Sequence, residues 1–195
     1  MTTILRIDSS ARHDGSASRE LAGRLIERFG DDVTVVERDL AAGVPLLSES
    51  TLGAMWTPAE QRTAVQNAEL AIADVFISEL MAADAVVIGL PIYNFGPPAA
   101  MKAWADLVAR AGTTFTYTEN GPQGLVPSKP VYLVVASGGV PVGSPMDLAS
   151  TWLQTFLGFL GLTDVTVIAA DQLNVDPEQA IETARSNVDA VPLAA

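Results

Sequence analysis

Apolar residues along this chain recur with two periods, and the alternation between the two outlines an architecture. Thr3–Asp8 and Val33–Glu37 are short and rich in β-branched residues, whereas Ala85–Leu90, Val131–Ala136 and Val165–Ala169 are continuous apolar runs. Runs of that length fit parallel strands covered on both faces. The segments between them carry helical spacing. Leu21, Leu25 and Ile26 share one face of Ser18–Phe29. Thr57-Pro58-Ala59-Glu60 combines an N-cap residue, a proline at the first helical position and an acid three residues past the cap. That signature predicts a long helix from there to about Met81. Further helices are expected over Ala99–Ala111, Met146–Leu160 and Pro177–Val188. The alternation Phe115-Thr116-Tyr117, closed by Asn120-Gly121, predicts a small hairpin insertion near residues 113–125.

Strands and helices in alternation imply an α/β, doubly wound, five-stranded parallel sheet of order 2-1-3-4-5, in a single domain over residues 1–195. In such a sheet a ligand sits outside the carboxyl ends of the strands, beside the switch between the first and the third. The loops after Asp8, Leu90 and Ala136 are therefore where chemistry is expected.

Composition removes several classes. Hydrophobic residues make up 49% of the 195, yet no apolar run approaches the roughly 20 residues of a membrane span. Met1-Thr2-Thr3-Ile4 has no secretory character, so a cytoplasmic location is expected. The chain lacks cysteine, which excludes a thiolate nucleophile and Cys-based metal sites, and its single histidine, His13, argues against zinc. A formal net charge of −12 argues against nucleic acid and anionic membranes as partners.

The first loop, Ser9 to Ser18, holds four serine hydroxyls, or is a plain capping turn by the simplest account. Set between a strand and a helix N-terminus, it is suited to an anion: Ser10, Ser16 and Ser18 offer hydroxyls, and Ala17 its backbone N–H. It has neither G-x-G-x-x-G nor G-x-x-x-x-G-K-[ST], which disfavours a standard dinucleotide site and ATP or GTP hydrolysis. The second loop sets Ile92, Tyr93, Asn94 and Phe95 between proline and glycine, an apolar wall with an amide for a planar ring, or aromatic anchors for the loop itself. The third, Ala136-Ser137-Gly138-Gly139, allows close backbone approach and offers N–H groups to a polar ring edge. Phosphate at the first loop and a flat polar ring between the other two describe FMN. No nucleophile motif is present, and a flavin needs none, because the cofactor carries the reaction.

These residues, together with Lys102–Gly112, Thr114–Leu125 and Thr155–Leu162, resemble the FMN-dependent NADH-azoreductases and NADH:quinone oxidoreductases of the flavodoxin-like superfamily. The resemblance implies FMN with its phosphate at Ser10 and Ser16–Ser18, its isoalloxazine along Ile92–Phe95, and its pyrimidine end at Ala136–Gly139. It also implies NADH, or else NADPH, as donor, and ping-pong hydride transfer to a quinone or azo compound. A homodimer with active sites at the interface is part of the same expectation, with Phe115, Tyr117 and Phe159 at the substrate. Phe115 and Tyr117 equally fit a half-buried strand, and Phe159 the core face of a helix. Many relatives carry an arginine in the third loop, which this chain lacks. An electron-transfer flavodoxin is the alternative reading; the long segment between the second and third strands and the aromatic hairpin speak against it.

Overall fold

Alternate residues of a strand face opposite sides of its sheet, so strands that are apolar at every position must be covered on both. The computed structural model describes residues 1–193. Its elements run β1 (Thr2–Asp8), α1 (Ala17–Glu27), β2 (Val33–Asp39), α2 (Glu49–Trp56), α3 (Ala64–Ala82), β3 (Ala85–Pro91) and α4 (Ala99–Val108). They continue with β4 (Phe115–Thr118), β5 (Gly121–Gly124), β6 (Val131–Ala136), α5 (Leu148–Leu160), β7 (Val165–Ala170) and α6 (Pro177–Ala190). Five strands pair in parallel in the order β2-β1-β3-β6-β7, which is 2-1-3-4-5 once the hairpin strands β4 and β5 are set aside.

The central strands sort their residues by parity. Val86, Ile88 and Leu90 of β3 and Val131, Leu133 and Val135 of β6 meet α3, α4 and α5 in one core. Their neighbours Ala85, Val87, Tyr132 and Val134 meet α1 and α6 in the other. Edge strands β2 and β7 are only partly covered. Register sets Asp8 beside Asp39 and Gly89, and Pro91 beside Ala136 beside Ala170, so all five carboxyl ends finish along one rim.

The long helix expected from Thr57 does not start there. Thr57 instead closes α2, which was not foreseen, its N–H donating to the Gly53 carbonyl at 3.1 Å. Residues 59–61 form a single 3-10 turn, and α3 begins after Thr63. Two capping signatures compete here, and the second one closes. Gln66 N–H donates to Thr63 Oγ1 at 3.2 Å while Thr63 N–H donates to Gln66 Oε1 at 2.9 Å. Arg62 reinforces the break by donating Nε to the Ala54 and Thr57 carbonyls. The hairpin lies where expected, paired antiparallel and tied to the end of α5 by Val126 N–H on the Leu160 carbonyl at 3.1 Å.

Candidate functional site

The loop after β1 begins with two bonds to β3: Ser9 N–H and Oγ both donate to the Gly89 carbonyl, at 3.2 and 2.7 Å. Ser9 is thereby structural. Ser10 Oγ accepts from Arg12 N–H at 3.2 Å and lies 3.3 Å from the Tyr93 hydroxyl, which also accepts from Ala11 N–H at 3.2 Å. Gly15, at φ +64°, turns the chain into α1. Ser16 is the N-cap residue of α1 but makes no side-chain cap; its hydroxyl lies 3.4 Å from that of Ser18. The N-cap side chains of α2, α3, α5 and α6 all accept a backbone N–H. The first turn of α1 thus keeps its amides for another acceptor, and such amides favour an anion.

The second loop leaves β3 with Ile92 N–H on the Ala136 carbonyl at 2.8 Å. Tyr93 and Gly96 then exchange N–H and carbonyl bonds at 3.0 and 3.1 Å across a two-residue turn. Such a turn needs positive φ at both central positions, here Asn94 at +49° and Phe95 at +71°. Asparagine accepts that conformation readily; phenylalanine does so under strain.

In the third loop Ser137 Oγ accepts from Val140 N–H at 2.9 Å. A fourth loop, after β7, runs alongside it, with Leu173 N–H on the Ser137 carbonyl at 3.0 Å and Asn174 N–H on the Gly138 carbonyl at 2.8 Å. The Asn174 side chain packs so closely on Gly138 that any Cβ there would collide with its amide.

These loops enclose a cavity of about 490 Å³. Ser10, Ser16, Ala17 and Ser18 line one end, Ile92 and Tyr93 one wall, and Ala136, Ser137 and Gly138 the other. Asn94, Phe95 and Gly139 stand outside that lining, on exposed or half-exposed turn positions. Phe115, Tyr117 and Phe159 form a separate cluster, with ring centroids 5.5 Å apart for Phe115–Tyr117 and 4.5 Å for Phe115–Phe159; none of the three lines the cavity. Sequence reading passed over Leu173, Asn174, Pro177 and Ile181, which complete the wall from the fourth loop and α6. Applying the strand-end rule to the last strand as well as to the other three would have found them.

Charge beneath the first loop is balanced. Arg6 Nε lies 2.8 Å from Asp8 Oδ2, and Arg19 Nη2 donates to Asp39 Oδ1 at 2.6 Å. Burial pushes the Asp8 carboxyl above the usual range despite Arg6 and Arg19. Burial acts the same way on Asp39, but the bonds from Arg19 and from Ala41 N–H outweigh it and hold that carboxyl below the usual range.

A family model described as flavodoxin-like fold matches residues 2–191. An FMN-dependent NADH:quinone oxidoreductase 1 from Jannaschia sp. (strain CCS1) is 52% identical over 191 residues, covering 98% of this chain and 99% of that one. The chain belongs to this flavodoxin-like oxidoreductase family. A second family member, FMN-dependent NADH:quinone oxidoreductase 1 of Hahella chejuensis (strain KCTC 2396), is 46% identical over 97% of this chain and 95% of its own. Among solved structures, an azoreductase from Bacillus anthracis str. Sterne matches with a TM-score of 0.86 at 27% identity, covering 97% of this chain and 96% of that one. As in those matches, resemblance to the family extends over nearly the whole chain rather than over the loops alone.

Proposed function

We propose that this protein is an FMN-dependent NADH oxidoreductase that reduces quinones and azo compounds, and that the cavity at the sheet rim holds the FMN. The observation that carries this reading is the joining of an uncapped helix N-terminus to two strand-end loops in one cavity, in a chain 52% identical to an FMN-dependent NADH:quinone oxidoreductase. The residues fit the cofactor. Serine hydroxyls and the α1 amides are donors without negative charge, as a phosphate dianion requires. Ile92, Tyr93 and the backbone at Ser137 and Gly138 give a flat ring one apolar wall and one polar edge. When bound, FMN supplies the hydride chemistry between NADH, or NADPH, and the acceptor.

The protein's own part is to bind and orient. Ser10, Ser16, Ala17 and Ser18 hold the phosphate, Ile92 and Tyr93 flank the ring, and Ala136, Ser137 and Gly138 face its pyrimidine end, with Asn94, Phe95 and Gly139 on the turns just outside. Ping-pong exchange of donor and acceptor belongs to the same reading. Support for a homodimer comes from Leu148, Trp152, Phe156 and Phe159, which recur at helical spacing along α5 beside exposed Phe95, Met146 and Tyr117. In that assembly Phe115, Tyr117 and Phe159 serve the partner's acceptor rather than their own chain's. Use of NADH supports a cytoplasmic setting.

The test is spectroscopic. Flavin absorbance of the purified protein is expected to bleach on adding NADH without oxygen and to return on adding a benzoquinone. Flavin bands that ignore NADH and NADPH would favour an electron-transfer carrier, and a colourless protein that takes up no FMN would sink the proposal.

A further inference from the structure

Arg19 lies in the first turn of α1 with its side chain 14% exposed, and it does not line the cavity. Its Nε donates to the Arg12 carbonyl at 2.9 Å and its Nη2 to the Ser10 carbonyl at 2.7 Å. The same Nη2 reaches Asp39 Oδ1 at 2.6 Å, while Nη1 lies 3.6 Å from Asp8 Oδ2. One guanidinium therefore joins the first loop to the carboxyl ends of β1 and β2.

The consequence is directional. In a trans peptide the carbonyl and the following N–H point opposite ways. Turning the Ser10 and Arg12 carbonyls onto Arg19 turns the N–H groups of Ala11 and His13 away from it. Ala11 N–H indeed reaches the Tyr93 hydroxyl, which lies within 3.3 Å of Ser10 Oγ on the cavity wall. Arg19 thus fixes the face that the loop presents, and Tyr93 with it.

Its charge is matched locally by Asp8 and Asp39, so it adds little pull on an anion in the cavity. The cation that does line the cavity is Arg12, lying against Gly15. A planar fork suits Arg19's position because it serves two carbonyls and two carboxylates at once; a lysine ammonium is a point charge on a flexible stem.

We propose that Arg19 is a positioning residue for the phosphate loop, shaping the FMN phosphate site from behind without touching the phosphate. That role rests on the first loop being the FMN phosphate site.

The experiment strips FMN from the full-length protein and titrates it back with FMN and, separately, with riboflavin, which lacks the phosphate. Wild type is expected to bind FMN the more tightly. Arg19→Gln is expected to weaken FMN binding by about 10- to 100-fold, the equivalent of losing charge-assisted hydrogen bonds, and to leave riboflavin binding unchanged. Arg19→Lys should not restore it. The salt dependence of FMN binding should match wild type, because no charge that meets the phosphate has been removed. Equal losses for FMN and riboflavin, or no loss, would overturn the positioning role, and a flattened salt dependence would replace it with direct charge contact. Should Arg19→Gln fail to fold, Asp39→Asn keeps Oδ1 as the acceptor for Ala41 N–H, removes the negative charge that anchors Arg19, and is expected to weaken FMN selectively. A gain in FMN affinity from Asp39→Asn would instead mean that Arg19 acts as a free charge. Wild type binding FMN and riboflavin alike would remove the phosphate site itself, and Arg19's role with it.

Discussion

Phe95 sits in a backbone conformation that glycine would occupy more comfortably, at the tip of the turn after β3. A phenylalanine held there against its preference points to a use for the ring. Phe95→Gly is expected to leave stability within about 1 kcal/mol of wild type, since relief of left-handed strain offsets glycine's larger unfolded-state entropy. Quinone reduction is expected to fall by about tenfold or more, the scale of losing one well-packed aromatic contact. Thermal unfolding and steady-state rates measure the two, and a large stability loss with intact turnover would assign Phe95 to folding alone. At this scale the place of Ser10, Ser16 and Ser18 along the cavity was legible, because they fall in the loop between the first strand and its helix. Asn174 was not: its contact with Gly138 arises from the pairing of β6 with β7, and nothing local to Asn174 announces it. The strain at Phe95 was equally silent, since phenylalanine is no marker for positive φ.

Among the helices, α3 is held at both ends by side chains from elsewhere. Lys129 is buried, and its Nζ donates to the carbonyls of Leu80 at 2.7 Å, Met81 at 3.2 Å and Ala83, closing the carboxyl end. Burial lowers the pKa of that ammonium, yet removing it takes one donor from three carbonyls. Lys129→Ala is expected to cost about 2–4 kcal/mol in urea unfolding, as several buried acceptors lose their donor. A loss below about 1 kcal/mol would mean that water replaces the lysine. Near the other end, Glu69 accepts from the hydroxyls of Thr51 at 2.8 Å and Ser50 at 3.0 Å, clasping α2 to α3. Those bonds hold the Glu69 carboxyl below the usual range. A lowered carboxyl stabilises the fold above the unfolded-state pKa and loses that contribution as pH falls through the lower folded value. Protection of α2 amides, taken relative to their intrinsic exchange rate at each pH, should therefore fall as pH drops through that window, and Glu69→Gln should remove the trend. Strands and most helices were legible because core periodicity repeats along them. The start of α3 was not, because two capping signatures stand six residues apart and only bonds from Arg62 and Gln66 decide between them. α2 was missed because Ser50, Thr51 and Gly53 are weak helix formers, and its cap and clasp are tertiary.

Taken whole, the molecule is two cores on either side of one sheet, and that plan was readable from the runs at Ala85, Val131 and Val165. How Phe115, Tyr117 and Phe159 would serve the cavity was not readable, because the proposed arrangement needs a second copy of the chain. Wild type is expected to sediment as a dimer. Leu148→Glu, which sets a charge at an exposed position among the apolar residues of α5, should release monomers and reduce quinone turnover by about tenfold or more, as burying an unpaired charge would demand. A monomeric wild type with full activity would refute the shared site. The strand register gathers the four loops at one pole, while residues 28–32, 83–84, 127–130 and 161–164 turn at the other. Such polarity makes the protein easy to wire. With no native cysteine to compete, a single thiol introduced at exposed Asp32 would anchor every copy on an electrode in one orientation, chemistry facing the solution and nothing in its way.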